Sequence, residues 1–522
     1  MEHDVLVVGA GAAGCAVAAR LACEGSVRVL LVEAGYRVHH PAQRIPKAFL
    51  TAMLNPRLAY HYPTESGETW IRGRALGGST TINGMMWVRG DPGDYDRLAA
   101  LGNPGWGWAH LGPVYADLEA GAPGARRGLR TTVRTTHDPI AAAILTGAAD
   151  LQVPPVADLN ATTGPRIGFT PSTIDHGLRV DATSLLPSAS PTLQVLTGAK
   201  VGYLLLENTA DGVRATGVRA LHRGRIRDLR AQEVVLAGGT IESALLLERS
   251  GIGRPEILAA AGVRTVVPSP RVGEGVVEQR SVTLKARVRD AVGLGPRLAT
   301  RSARARELAR YLLTRSGAVA GGAYEISAML ALASPGLVDT QLLATTLATD
   351  DTGLTVAGHP GLMLQGYLIR PGTDSSVHLS GPHPDDPPRI RDRYLATDGD
   401  REAAARILNW HRRLLSTRSL ADLGAHEVSP GPGVRDVPQV ARYVQDSGNG
   451  IFHAVGSCAM GPDEEDVVDA ALRVRGVHGL RVADASVLPF PVAGGTAAPA
   501  MAVGHRAAEI LLEQRFARPG RP

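Results

Sequence analysis

Residues 9–14, Gly9-Ala10-Gly11-Ala12-Ala13-Gly14, stand between a β-branched run, Asp4 to Val8, and an alanine-rich helix former, Ala12 to Ala22. A second strand-like run, Val27 to Glu33, follows and ends in an acidic residue about 20 residues after the glycines. Two neighbouring parallel strands need a crossover, and the helix between them supplies it, so the segment predicts a βαβ unit. In that setting Gly9 permits the tight turn, Gly11 lets the backbone approach a pyrophosphate, and Gly14 lets helix and strand pack closely. Glu33 is placed to accept hydrogen bonds from an adenosine ribose. A lone glycine pattern is weak, but this position between strand and helix makes it a dinucleotide signature.

Later runs return to the same kind of sheet. Leu193 to Leu196, Val201 to Leu206, Glu233 to Gly239 and Leu480 to Asp484 read as strands, and Ala497 to Glu513 reads as a closing helix. At 522 residues the chain exceeds the ~250–300 at which single cores stop growing, so two domains are expected. The reading is α/β: a Rossmann-like domain with a parallel sheet over 1–155, 190–280 and 445–522, and an inserted α+β domain on an antiparallel sheet over 156–189 and 281–444. Residues 517–522 are expected to fray.

Composition excludes several classes. No apolar run reaches the ~18 residues of a membrane helix, and a formal charge of +5 spread along the chain gives little reason to expect nucleic acid. The densest arginine stretch, Arg297 to Arg315, reads as the solvated side of a helix. Cys15, Cys23 and Cys458 lack zinc or redox spacing, and the start of the chain lacks leader character, so a cytoplasmic protein is expected.

Two further segments carry chemistry. Gly73-Arg74-Ala75-Leu76-Gly77-Gly78-Ser79-Thr80-Thr81-Ile82-Asn83-Gly84-Met85 offers low-relief backbone for a ring or phosphate. The stretch Gly239 to Gly253 follows a buried strand and opens a helix. Together with His453-Ala454-Val455-Gly456-Ser457-Cys458-Ala459-Met460-Gly461 and Leu480 to Ser486, they resemble the signatures of the glucose–methanol–choline family of flavoprotein oxidoreductases. Ala244 stands where that family usually has proline or serine. The likeness is weakest between about 285 and 360.

The resemblance implies FAD, with Gly9, Gly11, Ala12, Ala13, Gly14, Glu33, Ala34 and Val201 at the adenine half. Arg74, Gly77, Gly78, Thr81, Asn83, Gly84 and Met85 are implied at the pyrophosphate or isoalloxazine. Ala237, Gly238, Asp484, Ala485 and Ala498 complete the implied cofactor set. Where some relatives attach FAD through a histidine, this chain has Ile82, which implies non-covalent FAD. The resemblance further implies oxidation of an alcohol-type CH–OH group, with His453 as general base and hydride passing to flavin N5.

Two departures qualify that expectation. The second His or Asn usual near the start of the final helix is replaced by Ala497, and the usual preceding asparagine is Gly495. The substrate oxygen thereby loses one partner, worth roughly 1–3 kcal/mol if buried. Three readings follow: His453 acts alone with a substrate hydroxyl, Thr496 compensates, or the chemistry has changed to a lyase, isomerase, cyclisation or photodecarboxylase-like step. His505, about 12 Å further along the helix, is too far to substitute. The second departure is Val272 to Gln279, which relatives usually end in Asp-His. It bears on the loop beside the flavin.

Overall fold

The computed structural model describes residues 3–37, 40–121, 128–350 and 355–516; the expected fraying of 517–522 lies outside them. Its first sheet runs, in spatial order, Leu193–Thr197, Val29–Glu33, His3–Val8, Arg225–Leu236, Gly212–His222 and Ala199–Thr209. The first four are mutually parallel, with His3–Val8 central between Val29–Glu33 and the end of Arg225–Leu236. The helix Ala12–Ala22 is the crossover, almost wholly buried among alanines and Val17, and it packs on the closing helix Ala497–Arg515. Small side chains allow that approach: a Cβ on Gly504 would fall 2.3 Å from the Ala13 carbonyl oxygen.

The sheet is not parallel throughout. Arg225–Leu236 pairs antiparallel with Gly212–His222 over its first half, then parallel with Leu480–Val482 over its second. The Val201 to Leu206 run lies in this antiparallel extension. Periodicity within one strand marks burial and leaves strand direction open, so the expected parallel sheet is the side running from Leu193–Thr197 to Arg225–Leu236.

A second, six-stranded sheet is antiparallel: His426–Ser429, Val282–Arg287, Gly361–Leu368, Thr340–Thr345, Ile326–Leu330 and Arg166–Phe169. Its strands alternate. Leu284, Ala286, Leu342, Ala344, Leu362 and Leu364 join a core with the helix Asp398–Leu415, while Thr283, Lys285, Leu343, Thr345, Met363 and Gln365 face a cavity. Helix Pro139–Asp150 buries Ile140 and Ile144 in this second core, although it falls within the 1–155 stretch expected of the first domain. An alanine-rich helix carries no cue to which sheet it will cover. Helix Arg301–Thr314 buries only Ala303 and Tyr311, matching the solvated arginine face. Among the described residues no helix is long and apolar enough to cross a membrane.

Candidate active site

The carboxyl ends of the central parallel strands, at Val8, Glu33 and Leu236, and the inner face of the antiparallel sheet enclose one cavity of about 2270 Å³. Ordinary small-molecule pockets reach about 1,000 Å³. The cavity lies where open α/β sheets bind ligands, beyond the strand ends.

Three glycine-rich turns shape its floor. Gly9 adopts φ +100° and a Cβ there would fall 2.4 Å from the Ala237 carbonyl oxygen, so two loops touch through bare backbone. Gly11, Ala12 and Ala13 line the cavity, and helix Ala12–Ala22 has no side-chain cap, leaving its first N–H groups open toward it. Glu33 is buried and also lines the cavity; its carboxylate accepts from the Ala10 N–H at 2.9 Å and the Gly35 N–H at 2.7 Å. Burial pushes its carboxyl pKa up despite those two bonds.

Gly78, Asn83, Gly84 and Met85 form a second wall. Arg179, which sequence reasoning passed over, pins that loop by donating to the Thr80 carbonyl at 3.0 Å, the Asn83 carbonyl at 2.8 Å and Asn83 Oδ1 at 2.7 Å. Burial lowers its pKa to about 10. Ala34, Val201, Ala237, Gly238, Asp484 and Ala485 also line the cavity. The Asp484 carboxylate turns inward: it accepts from the Gly239 N–H at 2.8 Å, the Ser243 hydroxyl at 2.6 Å and the Ser486 N–H at 2.8 Å, so it shapes the wall.

Five expected cofactor residues do not line the cavity. Gly14 instead meets the Gly9 carbonyl, where a Cβ would fall at 1.8 Å. Arg74 is exposed with its guanidinium 5.1 Å from the Tyr60 ring centre. Gly77 donates its N–H to the Ala10 carbonyl, Thr81 donates its hydroxyl to the Gly78 carbonyl, and Ala498 is buried in the closing helix. Gly14, Arg74 and Thr81 thereby contact Gly9, Tyr60 and Gly78, which do line the cavity.

His453, Gly495, Thr496 and Ala497 meet at the cavity's far end. His453 Nδ1 lies 3.0 Å from Gln279 Oε1, and its Nε2 would be 3.2 Å from a Cβ on Gly495. Buried Glu278 accepts the N–H groups of His453 at 2.9 Å and Ala454 at 3.0 Å. Tyr367 meets the imidazole edge-on, centroids 5.9 Å apart. Burial, and secondarily the Arg72 guanidinium, lower the His453 pKa to about 3, so the ring is neutral near pH 7. The helix beginning at Ala497 has no side-chain cap, and its first turn points at this end. His505 is turned away, 3.7 Å from Asp117 and 3.6 Å from Glu509.

Residues 3–280 and 371–504 match the two family models described as GMC oxidoreductase. The chain belongs to the GMC oxidoreductase family. It is 28% identical to the alcohol dehydrogenase [acceptor] of Pseudomonas putida over 98% of this chain and 96% of that protein. It is 31% identical to an uncharacterised GMC-type oxidoreductase of Mycobacterium bovis over 98% and 99%. Its fold superposes on pyridoxine 4-oxidase from Mesorbium loti with a TM-score of 0.85 at 26% identity, covering 99% of this chain and 100% of that one. GMC membership makes this chain an oxidoreductase and implies FAD. The residues present fit that cofactor: bare-backbone cradles at Gly9 and Gly78 that a Cβ would fill, uncapped helix N-termini and an acidic strand end.

Proposed function

We propose that the protein oxidises a CH–OH group of an alcohol-type small molecule, with non-covalent FAD as oxidant and His453 as general base. The observation that carries this is His453 itself: a neutral imidazole whose Nδ1 is engaged and whose Nε2 has no hydrogen-bond partner among the described residues, in the cavity wall opposite Gly495. Gly9, Gly11, Ala12, Ala13, Glu33, Ala34 and Val201 would hold the adenine half of FAD; Gly78, Asn83, Gly84, Met85, Ala237, Gly238 and Ala485 would hold the remainder. When bound, FAD supplies a two-electron acceptor for the carbinol hydride. Nε2 takes the hydroxyl proton.

The assignment of 1–155, 190–280 and 445–522 to the cofactor and 156–189 and 281–444 to the substrate belongs to this proposal, with Pro139–Asp150 packed on the substrate side. Leu343, Thr345, Met363 and Gln365 wall the substrate end. The alternative is changed chemistry on the same cofactor, favoured by the lack of any side-chain donor at Gly495 or Ala497.

Anaerobic mixing of the FAD-loaded protein with a panel of primary, secondary and benzylic alcohols tests both readings. Oxidation bleaches the visible flavin band, and His453→Ala slows bleaching about 10²-fold with FAD content unchanged. Wild-type bleaching rates in His453→Ala would remove the base; no bleaching by any alcohol would favour the alternative.

A further inference from the structure

Gln279 is fully buried beside the substrate end of the cavity, and both ends of its carboxamide are engaged. Its Nε2 donates to the Ile369 carbonyl at 2.6 Å. A carbonyl oxygen only accepts, so the amide's NH2 must face Ile369 and Oε1 must face His453. That oxygen, 3.0 Å from His453 Nδ1, also only accepts. In a neutral ring one nitrogen carries the proton, and the bond requires it on Nδ1. Nε2 is then the lone-pair nitrogen, on the side of Gly495 and the cavity.

We propose that Gln279 is a positioning residue that sets the tautomer of His453, holding the proton on Nδ1 and presenting the Nε2 lone pair to the substrate hydroxyl. The inference rests on His453 being the base. The other charged or titratable groups around the ring are Arg72, Glu278 beneath its backbone N–H, and Tyr367 at its edge; Tyr367 and Glu278 make no hydrogen bond to the ring nitrogens. When Nε2 takes the hydroxyl proton, the O–H bond breaks, an N–H bond forms and the ring becomes a cation with both nitrogens protonated. Gln279 still accepts from Nδ1, so the hydrogen bond survives the transfer. A neutral amide orients the ring without the basicity a carboxylate would add.

Nitrogen-15 spectra of the FAD-loaded wild type, with His453 assigned by difference against His453→Ala, read the tautomer directly. The expected signal is protonated Nδ1 and bare Nε2; protonated Nε2 would overturn the proposal. Gln279→Leu removes the acceptor and should slow flavin reduction by 1-octanol, or by the fastest alcohol of the panel, about 10-fold or more with KM little changed. Gln279→Glu keeps an acceptor for Nδ1 but sets a carboxylate oxygen against the Ile369 carbonyl in place of the N–H donor, so it should recover only part of the rate, while its negative charge moves the acid limb of the pH profile upward. Unaltered rates and pH profile in both variants would also overturn the proposal. If His453→Ala keeps the full rate, the base reading has failed; if it does not and the Gln279 variants are silent, only this inference has.

Discussion

Gly11 and Gly78, from two separate glycine-rich turns, meet backbone to backbone: a Cβ on Gly78 would lie 2.6 Å from the Gly11 Cα. Gly78 also sits at φ +54°, where a side chain adds strain of about 1–3 kcal/mol. Gly78→Ala should therefore push the two cradle loops apart and lower FAD content while the antiparallel sheet stays folded. The ratio of flavin to protein absorbance checks this, with circular dichroism as the fold control; a full complement of FAD would show that the close approach is not needed.

Covalent attachment needs a nucleophilic atom beside the ring, and Ile82 is apolar and buried. Acid or heat should release free FAD and leave a colourless pellet. Flavin retained in the precipitated chain would contradict non-covalent binding.

The frame around the first glycine turn was legible because its cues are local. Strand, glycine turn, helix and acidic strand end occur within Asp4 to Glu33, and helix Ala12–Ala22 forms over the residues expected. The groups that tune the site were not. Arg179 reaches back to Thr80 and Asn83, and Gln279 joins His453 to Ile369, contacts that no period or spacing encodes. The unusual Glu278-Gln279 pair was visible as a departure, but only the fold shows it holding the backbone and ring of His453.

Ala497 opens the closing helix in the cavity wall, whereas Gly495 stands directly against His453, its Cβ position 3.2 Å from Nε2. The two sites should respond differently. Ala497→Asn adds a donor and should preserve or raise flavin reduction by simple alcohols. Gly495→Ala puts a methyl in tight contact with the His453 ring and should lower it several-fold. Stopped-flow reduction of both variants decides; loss of the reaction in Ala497→Asn would mean that the space at 497 was emptied to seat a bulky substrate or to serve different chemistry.

His411 gives a stability prediction away from the cofactor. It is fully buried on helix Asp398–Leu415 beneath Gly366, neither ring nitrogen has a hydrogen-bond partner among the described residues, and burial lowers its pKa to about 3. The unfolded chain binds that proton near the ordinary value of ~6.5. Between those values the unfolded state holds more protons than the folded one, so stability is fully present above about pH 6.5 and is lost as pH falls toward 3. The slope from this group is at most ~1.4 kcal/mol per pH unit. His411→Leu, similar in size and without buried nitrogens, should flatten the acid side of the curve and leave the protein more stable than wild type at pH 5. Urea denaturation from pH 8 to pH 5 measures this. Parallel acid profiles for the two proteins would mean that His411 takes up its proton as readily in the folded state as in the unfolded one.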